Sequence, residues 1–97
     1  MADHEYFEPE HELSEETRDL HRALISLTIT LRAVDRYTQQ IDLCKDESLK
    51  ALLIHNREEK LEHTAMLIEW LRRRDATFND ELRAFLYKDG PIIDPRH

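Results

Sequence analysis

Asn56, Glu59 and His63 interrupt an otherwise apolar row, Leu49, Leu52, Asn56, Glu59, His63, Met66 and Trp70, and their side chains can ligate a cation or move a proton. The spacing alternates three and four residues, which places all seven on one face of a helix. A carboxylate and an imidazole are costly to bury unless paired or metal-bound, so this interruption marks the candidate site. The competing reading is that the polar residues satisfy one another across a helix interface. Glu62 precedes His63, and Glu59 lies four residues before it, so a twofold axis could bring two His63 and two or more carboxylates around Zn2+ or Fe2+. Lys60 sits among these ligands and opposes a cation. His21 and His55 have no carboxylate at ligand spacing on the seam and read as polar or surface contacts. Tyr37 reads as a packing residue with a hydrogen-bonded hydroxyl, and Met66 and Trp70 as core. No Ser or Cys stands in a nucleophile setting, which leaves a hydrolase the least supported class.

The elements that must position these residues are helices. One Gly and three Pro interrupt 97 residues rich in Leu, Glu, Arg and Ala, a composition that predicts an all-α protein. Residues 1–13 read as a flexible acidic arm, and residues 14–97 as one helical domain. Ser14 reads as the cap of a first helix whose seam is Leu20, Leu24, Leu27, Leu31, Val34, Thr38 and Ile41, broadened by Ile25, Ile29 and Ala33. Asp46 caps a second helix running to about Arg74, and the two form an antiparallel hairpin. A short helix from Thr77 or Phe78 to about Lys88 follows, stopped by Gly90 and Pro91. A hairpin this long leaves one side of both seams open, so two hairpins are expected to pair into a four-helix bundle.

Charge and cysteine use narrow the function classes. Asp3, Glu5, Glu8, Glu10 and Glu12 supply most of a net charge of −7, with no Lys or Arg before residue 14. Such an arm repels nucleic acid, so no nucleic-acid partner is expected. Arg72, Arg73 and Arg74 form the only basic run, explained at the sequence level by the dipole of a helix end. No apolar run reaches bilayer length and the N-terminus lacks a signal pattern, so a membrane or secreted protein is not expected. The single cysteine, Cys44, suits a reducing cytoplasm.

The stretch His55-Asn56-Arg57-Glu58-Glu59-Lys60-Leu61-Glu62-His63-Thr64-Ala65-Met66, followed by Glu69-Trp70-Leu71-Arg72-Arg73, resembles the second helix of the encapsulated ferritins. His21-Arg22-Ala23, Ala33-Val34-Asp35 with Tyr37, and Gly90-Pro91-Ile92 carry the same resemblance, which runs over residues 10–93 in order. It implies a ferritin-like hairpin that dimerises through a di-iron centre and assembles into a decameric ring. It also implies a ferroxidase and iron-storage activity, with the ring held as cargo in an encapsulin nanocompartment in the cytoplasm. The family's iron ligands, one Glu from the first helix and a Glu-x-x-His pair from the second, fall by resemblance on Thr30, Lys60 and His63.

Two of these three are therefore non-ligands. A hydroxyl replaces a carboxylate poorly, and an ammonium repels the metal. Acidic positions of the iron access route fall on Ile29 and Arg32, and the aromatic beside Tyr37 is Arg36. The expectation is a homo-oligomer, from dimer to decameric ring, that holds together without metal and in which iron binding is weak or lost. The alternative is an active ferroxidase that binds Fe2+ at the subunit interface through a rearranged His63, Glu59 and Glu62 set. The tail that addresses the family to an encapsulin is not seen in Pro91-Ile92-Ile93-Asp94-Pro95-Arg96-His97.

Overall fold

The computed structural model describes residues 6–93. A 3-10 turn, Glu10–Glu12, precedes three α-helices among the described residues: α1 Glu15–Leu43, α2 Glu47–Arg74 and α3 Ala76–Phe85. There is no strand among the described residues, in keeping with the all-helical expectation. The start of each helix is written locally. The Ser14 hydroxyl accepts the Thr17 backbone N–H at 3.1 Å and opens α1. The Asp46 carboxylate accepts the Leu49 N–H at 2.8 Å and the Ser48 hydroxyl at 2.9 Å, which opens α2 three residues after α1 ends. Asp75 both terminates α2 and caps α3, accepting the Phe78 N–H at 3.1 Å, so one residue separates these helices.

The last helix differs from the expected one at both ends. It begins at Ala76 because Asp75 is the cap, and it stops at Phe85, three residues before Lys88. The chain turns away at Leu86, which is extended, and at Tyr87, whose φ of 58° is left-handed. Gly90, with φ 91°, lies beyond a helix that has already ended.

The hairpin seam is also displaced from the expected one. On α1, Leu20, Ala23, Leu27, Thr30, Val34, Tyr37 and Ile41 are all buried or half-buried, whereas Leu24, Leu31 and Thr38 are exposed. On α2, Leu53, Arg57, Lys60, Thr64, Leu67 and Leu71 are buried or half-buried. The row from Leu49 to Trp70 lies one residue off this seam. Leu49, Leu52, Glu59, His63 and Met66 are exposed, and Asn56 and Trp70 are half-buried. Met66 and Trp70 are thus flank, not core. Small side chains at contact positions let two helices approach closely, and Ala23, Ala33 and Thr64 are among the four most buried residues described.

Leu71, at 4% exposure, is the only large apolar side chain that is buried among the described residues. The radius of gyration is 17.3 Å, against about 13 Å for a compact chain of this length. Both sides of the hairpin carry open apolar residues. Leu49, Leu52 and Met66 lie one position before the seam, and Leu24, Leu31, Ile54 and Leu61 one position after it. No described helix is long and apolar enough to cross a membrane.

Candidate metal-site positions in the hairpin seam

Thr30 and Lys60 fall within the intrachain seam, and His63 lies on its exposed flank. At the centre of the seam the Thr64 hydroxyl lies 3.0 Å from the Thr30 hydroxyl and 2.8 Å from the Lys60 carbonyl oxygen. The Thr30 hydroxyl in turn donates to the Leu27 carbonyl at 2.9 Å. Both hydroxyl protons therefore have acceptors, and the polar groups at this point satisfy one another across the helix interface. Two turns along, the Arg57 guanidinium donates to the Thr38 hydroxyl at 2.8 Å, again linking α2 to α1.

An open groove of about 620 Å³ runs along one side of the hairpin, with Thr30 and His63 in its lining. Ala23, Met66, Leu67 and Trp70 make most of its wall apolar, and Asp19 and Arg22, which pair with each other, edge it. Thr30 and His63 thus share one surface, as positions donating to a common centre would. Glu59, however, pairs with His55 Nε2 at 3.5 Å, one turn away from His63. His55 therefore does have a carboxylate at i+4, contrary to the sequence reading, and the pair is solvent-exposed. Among the described residues no three of His, Cys, Asp and Glu converge as a metal-binding group within one chain.

The remaining singled-out residues have other contacts. Tyr37 packs in the seam, with the Arg36 guanidinium 5.2 Å from its ring centre. His21 stacks on Tyr6, ring centres 4.1 Å apart, which ties the start of the described chain to α1. Ile29 and Arg32 are exposed on α1. The basic run at the end of α2 has specific partners beyond the helix dipole. Arg72 donates to both Glu69 oxygens at 2.7 and 2.8 Å, Arg73 donates to Glu69 Oε2 at 2.6 Å, and Arg74 stacks on Trp70 at 4.0 Å. Sequence reading missed this cluster, although Glu69 at i−3 and i−4 from two arginines was a visible signal.

The Arg72 and Arg73 hydrogen bonds hold the Glu69 carboxyl below the usual carboxylate range, and the Leu49 and Ser48 bonds do the same for Asp46. A depressed folded-state pKa stabilises above the unfolded value and loses that stabilisation as pH falls through the folded value. The melting temperature is expected to fall once the pH drops below about 4, and less steeply in Glu69→Gln. Thermal unfolding followed by circular dichroism at pH 6, 4 and 3 checks this. Identical profiles for parent and variant would contradict it.

A sequence model of the EncFtn-like family matches residues 5–89. The chain belongs to this family. An encapsulated ferritin-like protein of Rhodospirillum rubrum is 49% identical over 85 residues, 88% of this chain and 61% of that protein's length. A ferritin-like protein of Thermotoga maritima is 46% identical over 94 residues, 97% of this chain and 82% of its own length. The crystal structure of a Nitrosomonas europaea protein superposes with a TM-score of 0.88 at 56% identity, covering 92% of this chain and 98% of that one. The chain thus spans about three fifths of the Rhodospirillum relative. The ferritin-like helical fold and the EncFtn-like membership follow from these matches.

Proposed function

We propose that this EncFtn-like chain is a ferritin-like assembly protein that holds its subunits together without metal and does not oxidise iron. One observation carries the reading: the family's ligand position on α1 is a threonine whose hydroxyl bonds within its own chain, to Leu27 and Thr64. Lys60 stands in the same seam, where the resemblance places a bridging carboxylate. A bonded hydroxyl, an ammonium and one exposed imidazole do not make a donor set for iron.

Assembly is supported by the apolar residues open on both sides of the hairpin, which a monomer leaves in water. Lys60 supplies a positive charge at the position where a metal-dependent interface needs cations. In a paired hairpin its ammonium can meet Glu59 or Glu62 of a second copy. Oligomers from a dimer to a ring fit this description, and an encapsulin shell would be the enclosing partner if the chain shares the encapsulation named for its Rhodospirillum relative.

The test is aerobic Fe2+ oxidation by metal-free protein against buffer, together with Fe2+ binding measured anaerobically by calorimetry. The reading predicts the buffer rate and no saturable binding heat. Protein-dependent oxidation would show instead that His63 with Glu59 or Glu62 of two chains rebuilds a working centre.

A further inference from the structure

The α2–α3 junction carries a polar relay outside the seam. Arg72 is fixed on its own helix by two hydrogen bonds to Glu69, and its remaining Nη1 reaches across to Asn79 Oδ1 on α3 at 3.2 Å. This side-chain hydrogen bond joins α2 to α3, and Arg72, Glu69 and Asn79 are all half-buried. The α3 helix is ten residues long, too short to persist in isolation, and none of its residues is buried. It lies over a groove of about 480 Å³ whose apolar lining is Ala65 and Ile68 of α2 with Leu82 and Leu86. Asp75 alone joins the two helices, so it absorbs any change of angle between them.

We propose that Glu69, Arg72 and Asn79 form a latch and that α3 opens as a unit about Asp75, uncovering Ile68, which is half-buried in the groove beside it. Asn79 is the catch, Arg72 the bolt, and Glu69 a positioning residue that acts through Arg72 by fixing its guanidinium plane. Opening of one peripheral helix requires much less free energy than global unfolding, because it exposes few apolar contacts.

Amide hydrogen exchange of the full-length protein, read by mass spectrometry on peptides covering residues 76–86, tests the latch. The parent is expected to exchange faster there than in the central turns of α1 and α2. Asn79→Ala is expected to speed exchange in 76–86 by about tenfold, the effect of losing one charge-assisted hydrogen bond, with α1 unchanged. Glu69→Gln should speed it too, and the double variant should be no faster than Asn79→Ala alone, since both act on one bond. Exchange in 76–86 that matches the centre of α2 in the parent would overturn the proposal. So would no change in Asn79→Ala, or additive effects in the double variant.

Discussion

Thr30→Glu together with Lys60→Glu is expected to turn an inert protein into one that binds Fe2+ and oxidises it in air, with neither single change sufficient. The structure gives the reason. Thr30 and His63 line the same groove, so a carboxylate at position 30 would face the imidazole across a surface open to solvent. With Lys60 in place, the new carboxylate has an ammonium in the same seam to pair with, and metal must compete with that ion pair. With Lys60→Glu alone, the α1 side of the centre still offers only a hydroxyl already bonded to Leu27 and Thr64. The two effects are therefore strongly non-additive, as expected for groups that act on one centre. The double change lowers the net charge by about three per chain, adding a carboxylate at position 30 and replacing an ammonium by a carboxylate at position 60. Without metal the variant should then assemble less well than the parent, and Fe2+ or Zn2+ should restore it. Oxidation followed by absorbance, and mass by light scattering with and without metal, read both consequences. A Lys60→Glu single variant as active as the double would show that Thr30 is not a ligand position.

Leu71→Ala is expected to produce the largest loss of stability of any single truncation in the seam. Among the described residues Leu71 is the one large side chain that is buried, and it lies in the last turn of α2. Removing a buried leucine costs about 2–5 kcal/mol, through lost transfer energy and the cavity left behind. A small domain is stable by only about 5–15 kcal/mol, so the loss is a large share of the total. The expected readout is a melting temperature lowered by more than about 8 °C. Leu24→Ala, at a half-exposed position on the open side, should cost far less in the dissociated chain and should instead weaken association. Equal losses for the two variants in dilute, dissociated protein would contradict the assignment of Leu71 to the seam.

The contrast between these two leucines shows what the sequence could and could not disclose. Helix starts were legible because Ser14 and Asp46 act on backbone N–H groups three residues away. The family resemblance was legible because the run from His55 to Met66 is a contiguous pattern. The expected row on α2 lies one residue off the seam, whereas on α1 Leu20, Leu27, Val34 and Ile41 belong to both, and Ala33 of the broadening set is buried. A search for leucines finds the surfaces that need covering, and here the close contact is made by small residues, Ala23, Ala33 and Thr64. The rows of larger residues, Leu24 and Leu31 on one side and Leu49, Leu52 and Met66 on the other, are left outward. Periodicity reports an amphipathic face without saying whether the same chain or a second copy covers it.

The polar residues followed the same division. Asn56, Glu59 and His63 drew attention as an anomaly in a core stripe, yet Glu59 and His63 are exposed and Glu59 turns to His55. The polar pair inside the seam is Thr30 with Thr64, separated by 34 residues, which no local pattern could have joined. Arg72 to Asn79 was hidden for a related reason, since the turn at Asp75 sets which faces of α2 and α3 meet.

The central claim is that this EncFtn-like chain assembles without metal. Native mass spectrometry of the purified protein, before and after exhaustive treatment with a chelator, tests it most directly. The account predicts one oligomer larger than the 11.7 kDa chain, unchanged by the chelator and carrying no metal mass. Dissociation to the monomer on chelation, reversed by Fe2+, would contradict it.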